Sequence, residues 1–186
     1  MIDLLLLCTG NICRSPMAEG ILRRRLDELG VDANVHSAGL LDLGREASAP
    51  AVEVMGERGV DLSSHRSRQM ARRLISDADL VICMERVHVR EAVLLDPSAF
   101  PRIFTLKELV RRGAATGPRG PEEPLATWLA RAHDGRRAAD HLGSSLDDDV
   151  EDPIGRSRDF YVRTANELED LLDRLVGLLF APVRAS

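Results

Sequence analysis

Aromatic residues make up only 3% of this 186-residue chain, so leucine, valine, isoleucine and alanine must fill its core. Cysteine is almost as scarce. Three cysteines are an odd number, so they cannot all pair internally, and no Cys-x-x-Cys or Cys/His cluster has zinc spacing. No metal or cofactor is expected. Long apolar runs are missing too: nothing approaches the ~20 apolar residues of a membrane-spanning helix. The N-terminal run is four leucines without a basic leader, unlike a signal peptide. These absences predict a cytoplasmic protein with no membrane partner. Basic excess is lacking as well. The formal net charge of −5 argues against non-specific nucleic-acid binding, which favours net positive charge or one basic face.

What is present is alternation. Ile2 to Leu7 fits a buried strand. Pro16 then opens a helical pattern of Ala18, Ile21, Leu22, Leu26 and Leu29, which Gly30 closes. Further strands are expected over Asn34–Ser37, Leu80–Met84 and Ile103–Thr105. Helices are expected over Pro50–Arg58, Ser67–Ile75, Glu85–Leu95, onward to Arg112, and over Ser157–Leu179. Strands alternating with helices predict an α/β fold: a four-stranded parallel doubly wound sheet flanked by helices, in one domain over 1–186. The Gly/Pro-rich stretch 113–151 interrupts this rhythm as an insertion with one short helical candidate, Leu125–Ala132. Trp128 within it reads as a packing anchor. Asp147, Asp148 and Asp149 read mainly as a solvated acidic face, and Arg23, Arg24 and Arg25 as a solvated helix face.

The chemistry concentrates at Cys8-Thr9-Gly10-Asn11-Ile12-Cys13-Arg14-Ser15, which has the form Cys-x5-Arg-Ser. A strand delivers Cys8 to the carboxyl edge of the sheet, where doubly wound folds bind ligands. The tight loop aims backbone N–H groups inward as an anion nest, and the following helix adds its positive end. Arg14 can hold two phosphate oxygens through its planar fork. Electropositive surroundings favour the thiolate, the attacking form of cysteine. Cys8 is the expected nucleophile. Thr9, Gly10, Asn11, Ile12, Cys13, Arg14 and Ser15 are the expected phosphate-binding residues. The bland alternative makes Cys8 a small buried residue at a strand end.

A phosphate ester also needs a proton for its leaving oxygen. Asp96-Pro97 follows a helix and precedes a strand, which puts it at the wrong edge of the sheet. Asp152-Pro153 comes after the fourth strand, so Asp152 can face Cys8. Its alternative role is an N-cap of the last helix, and Asp149 is the reserve acid. Asn11 is expected in a left-handed conformation, with its side chain reaching Ser37 and His65. Ser15 either caps the helix or donates to the Cys8 sulfur.

The run from Cys8 to Glu19 resembles the opening motif of the low-molecular-weight protein tyrosine phosphatases. Asp152-Pro153, Ser37-Ala38-Gly39, Cys83-Met84-Glu85 and His65 extend the resemblance over most of 1–112 and 152–180. It implies a cysteinyl-phosphate intermediate, catalysis by Cys8, Arg14 and Asp152, structural support from Ser37 and His65, and a reversible disulfide between Cys8 and Cys13. The implied substrate is a phosphorylated protein or a small phosphomonoester, with phosphotyrosine as the main reading. Asp152-Pro153-Ile154-Gly155 lacks the aromatic wall common in the family. Phe104-Thr-Leu-Lys-Glu108 and the pattern ending at Asp159 resemble the bacterial branch that includes protein arginine phosphatases. Arginine-directed members carry Thr at the position of Ile12, whereas Ile is typical of tyrosine-directed ones. Arsenate reduction needs a cysteine relay, for which only the remote Cys83 is left. A non-catalytic phosphate- or partner-binding module is the remaining reading. The oligomeric state and the role of 113–151 are not specified by the sequence.

Overall fold

The computed structural model describes residues 1–41 and 44–180. Four strands form one sheet in the order β2-β1-β3-β4, with every pair parallel. They are β1 (Ile2–Cys8), β2 (Ala33–Gly39), β3 (Leu80–Cys83) and β4 (Ile103–Thr105). Seven α-helices are described: α1 (Arg14–Glu28), α2 (Ala49–Gly56), α3 (Arg72–Asp77), α4 (Arg86–Leu95), α5 (Leu106–Thr116), α6 (Leu125–His133) and α7 (Arg158–Leu179).

The leucine run explains the layering. Side chains alternate along a strand, so Leu4 and Leu6 join the core beneath α1, α5 and α7. Leu5 and Leu7 join the opposite core beneath α3 and α4. Both layers are dry, and all four leucines are buried. Chain order reverses around β1, which pairs with β2 on one side and β3 on the other. The loops leaving β1 and β3 therefore open a crevice at the carboxyl ends of the strands, the usual ligand position in such sheets.

Several expectations need correction. The helix expected over Ser67–Ile75 is confined to Arg72–Asp77. Residues before it run extended, because Gln69 bridges to Gly39 at the end of β2 and the Arg68 N–H is drawn to Asn11. Helix α5 runs one turn beyond Arg112, since Gly113 packs against Trp128. The acidic run is not uniformly solvated. Asp148 is buried and paired with Arg86 and Arg111, at 2.7 and 2.8 Å. Arg24 and Arg25 reach Glu169 and Asp173 on α7 and so link two helices.

The 113–151 segment is organised. Trp128 is fully buried, with its indole N–H donating to the Gly117 carbonyl at 2.9 Å. Arg136 is sandwiched by Phe104 and Phe100, its guanidinium 3.8 and 4.6 Å from their ring centres. It grips Glu108 through two contacts of 2.8 and 2.9 Å, and His141 closes on the same carboxylate at 3.0 Å.

Candidate active site

Cys8 is the last residue of β1, and the chain turns there because Asn11 adopts φ = 50°. Asparagine tolerates that left-handed geometry better than most residues. Its side chain holds the turn: Nδ2 donates to Ser37 Oγ at 2.7 Å and to Ser15 Oγ at 3.0 Å, while Oδ1 accepts from the Arg68 N–H at 3.0 Å. His65 was expected to meet the Asn11 side chain. Its Nε2 instead lies 2.7 Å from the Asn11 backbone carbonyl, because Arg68 and Ser37 already occupy the amide. Gly39 faces this turn so closely that a Cβ would sit 2.7 Å from the Thr9 carbonyl and 2.8 Å from Asn11 N.

The loop wraps the sulfur. The Asn11 N–H donates to Cys8 Sγ at 3.2 Å, and Ser15 Oγ lies 2.9 Å from it. Helix α1 begins at Arg14, so its N-terminal end points into the same space. No side chain caps that end.

Arg14 is 1% exposed and its guanidinium spans the crevice. Nη1 meets Glu85 Oε1 at 2.5 Å and the Val150 carbonyl at 2.9 Å, and Nη2 meets Asp152 Oδ2 at 2.6 Å. Its Nε has no partner among the described residues, although the atom is buried. A donor left over in this way suits an oxyanion.

Asp152 is brought to the cleft and half-exposed there, with Oδ1 accepting from the Ile154 N–H at 3.0 Å. It does not cap the last helix, whose N-cap is Ser157. Asp149, the reserve acid, is engaged elsewhere: its two oxygens accept from the backbone N–H groups of Arg86 and Ser145, both at 2.8 Å. Asp96 caps the turn that follows α4 and bonds Ser98, outside the crevice.

The cleft above Cys8 holds about 190 Å³. Thr9, Ile12, Leu41, Arg45, Asp152 and Ile154 line it, so its walls are mainly aliphatic. A larger groove of about 600 Å³ runs past Arg86, Lys107 and Arg111, but no cysteine or serine lines it. Its cations are already matched: Arg86 and Arg111 by Asp148, Lys107 by Glu167 and Arg174 by Asp170.

All three described cysteines are free thiols. Cys13 lies 3.2 Å from Ser48 Oγ and 3.5 Å from Tyr161 Oη. Burial pushes the Cys13 thiol up, and burial with the Cys13 contact pushes the Tyr161 hydroxyl up to about 12. Cys83 is fully enclosed, and burial pushes its thiol up strongly, which suits packing better than relay chemistry.

The sequence motif includes Glu85 without its contact to Arg14, and His88 was missed altogether. Both stand just beyond β3, and the edge of the switch-point crevice was the signal that could have found them. His88 is fully buried, accepts from the Glu85 N–H at 2.9 Å and lies 3.0 Å from Thr9 Oγ1. Leu41 and Arg45 were also missed, since their place on the cleft depends on how the chain leaves β2.

Residues 3–126 match the family model described as low molecular weight phosphotyrosine protein phosphatase. The chain is 33% identical over 178 residues to a protein-arginine-phosphatase of Bacillus subtilis, covering 95% of this chain and 96% of that one. It is 41% identical over 96 residues to the low molecular weight protein-tyrosine-phosphatase Wzb of Escherichia coli, covering 51% and 63%. Among solved structures, a low molecular weight protein tyrosine phosphatase from T. tengcongensis superimposes with a TM-score of 0.72 at 35% identity, over 95% of this chain and 98% of that one.

Proposed function

The chain belongs to the low molecular weight phosphotyrosine protein phosphatase family, a family of phosphoric monoester hydrolases, and from that premise we propose that it hydrolyses phosphotyrosine-type monoesters in phosphorylated proteins through a cysteinyl-phosphate. One observation carries the reading. Cys8 Sγ lies at the base of an aliphatic-walled cleft, held by the Asn11 N–H and Ser15, with Arg14 and Asp152 on the same crevice. Residues 1–186 are read as one phosphatase domain, with 113–151 inserted and tied to β4 and α5 through Arg136 and Glu108. Three free thiols fit a reducing compartment and support cytoplasmic action. Among the described residues, no helix is long and apolar enough to cross a membrane.

The chemistry follows from the placement. The phosphoryl oxygens take the loop N–H groups and the Arg14 guanidinium, including Nε, displacing Asp152 from Nη2. The Cys8 thiolate attacks phosphorus in line. As the ester P–O bond breaks, the leaving oxygen takes a proton from Asp152. Water then attacks the thiophosphate and gives its proton to the Asp152 carboxylate. The S–P bond breaks, and the returning thiolate is stabilised by Ser15 and the Asn11 N–H.

A second reading has its own support. Protein-arginine-phosphatase relatives match over a span of 95% of the chain, whereas Wzb matches over about half. Against it, the cleft walls Ile12, Leu41 and Ile154 suit a flat ring, while a guanidinium needs acceptors and, among the described residues, Asp152 is the one carboxylate lining the cleft. Parallel turnover of one peptide bearing phosphotyrosine or phosphoarginine decides between them. We expect kcat/KM to favour phosphotyrosine by at least tenfold, and the reverse ratio would transfer the assignment to arginine.

A further inference from the structure

His88 has no assigned part in this chemistry, yet its ring is wired directly into the phosphate loop. It sits in the first turn of α4, where Nδ1 faces the backbone N–H of Glu85 at 2.9 Å. A backbone N–H can only donate, so Nδ1 must carry a lone pair. The ring proton is thereby assigned to Nε2, which lies 3.0 Å from Thr9 Oγ1. Burial, with the charges of Arg14 and Arg90, pushes the imidazole down to about 3, so it is neutral across the physiological range.

A threonine hydroxyl has two acceptor lone pairs and one proton. One lone pair of Thr9 takes the His88 Nε2–H. The other faces Arg14 Nη2 at the longer distance of 3.5 Å. Both acceptor sides are thus turned toward cations or N–H groups, and the hydroxyl proton is left as the donor. Thr9 lines the cleft over Cys8.

We propose that His88 is a positioning residue, which fixes the Thr9 hydroxyl so that its proton is offered to a phosphoryl oxygen. The same ring ties Glu85, the Arg14 anchor, to the loop, because Nδ1 holds the Glu85 backbone while Glu85 Oε1 holds Arg14 Nη1. A donor held in place before the substrate arrives needs no reorganisation during the reaction, which is the condition for effective electrostatic stabilisation.

The inference rests on the phosphatase reading, so its test is made independent of turnover. Wild-type hydrolysis of an aryl phosphate examines that reading by itself. The inference is read from inorganic phosphate affinity, measured by calorimetry. His88→Asn places an oxygen where Nδ1 was, keeping the Glu85 contact, but does not reach Thr9. His88→Gln reaches Thr9 with an amide N–H, and glutamine also suits this helix position in a capping box. Losing one hydrogen bond to a charged group should cost about tenfold in affinity. We expect that loss in His88→Asn and in Thr9→Val, and no more than that in the double variant, with His88→Gln within about threefold of wild type. Independent effects multiplying to about a hundredfold in the double variant would overturn the proposal. Thr9→Val with wild-type phosphate affinity would also overturn it, and that variant carries the test if His88→Asn fails to fold.

Discussion

At the residue scale, the proposed mechanism separates attack from proton transfer. The sulfur is held from the loop side by Asn11 and Ser15, while the carboxyl group arrives from a distant part of the chain. Cys8→Ser should abolish turnover, by about 10³-fold or more, and keep phosphate binding, since the nest and Arg14 survive. Activity within tenfold of wild type would refute the nucleophile. Arg14→Lys keeps charge but loses the fork and the Nε donor, so kcat/KM should fall by about 10²-fold or more. Asp152→Asn should slow poor leaving groups by about 10²–10⁴-fold and nitrophenolate far less, because a weakly basic leaving group needs little protonation. A series of aryl phosphates checks this, and a uniform loss across leaving groups would remove Asp152 as the acid. The placement of Cys8 and Arg14 on one crevice was legible because strand, loop and helix lie in one short run. That of Glu85 and His88 was not, since no local pattern distinguishes a capping histidine from one that also crosses to the phosphate loop.

At the scale of elements, the phosphate loop depends on its neighbour β2 as much as on its own residues. Gly39 ends β2 against Thr9 and Asn11, and there is no room for a Cβ between them. Gly39→Ala should therefore move the loop. Overpacking of this kind costs roughly 1–3 kcal/mol, and a displacement near 1 Å in the site can cost about 10²-fold in rate. Thermal melting and kcat on an aryl phosphate measure the two effects together. Full activity would show that the strand end yields instead of the loop. The same neighbourhood explains why the expected helix from Ser67 is late. The Ser67–Gln69 backbone is used to fasten Arg45, Asn11 and Gly39, and those contacts outweigh local helical preference.

At the scale of the whole molecule, two buried groups contribute to the response to acid. The folded imidazole of His88 is held at about 3, below its ordinary value of about 6.5. Between those values the unfolded chain binds a proton that the folded chain refuses, so stability falls as pH drops through this window. Glu108 acts lower down. Burial would raise its carboxyl, but hydrogen bonds from His141 and Arg136 bring it down to about 2. Its contribution is complete above about 4.5 and is lost as pH falls toward 2. Denaturant midpoints measured from pH 7 to 3 should fall less steeply for His88→Gln than for wild type, and equal slopes would contradict the buried neutral ring. Arg136→Ala would leave Glu108 uncompensated inside the protein, a change that typically costs about 3–5 kcal/mol, or about 10 °C in melting temperature at this size. A melt within 2 °C of wild type would show that the insertion is not anchored there.

Sequence alone determined the alternating strands and helices, the parallel sheet, the strand-loop-helix setting of Cys-x5-Arg-Ser, and the placement of Asp152, not Asp96, on the cysteine's side of the sheet. Each follows from short-range periodicity or from the rule that successive loops alternate between sheet edges. Only the tertiary structure decided that Asp149 holds the backbone N–H groups of Arg86 and Ser145, that Asp148 is buried, that His65 holds a main-chain carbonyl, and that Arg136 pins 113–151 under Phe100. Those outcomes depend, Ser145 excepted, on partners 28 to 63 residues away in the chain. Charge and hydrogen-bonding capacity are written in the residue type, but which partner satisfies them is fixed only when packing brings distant segments together.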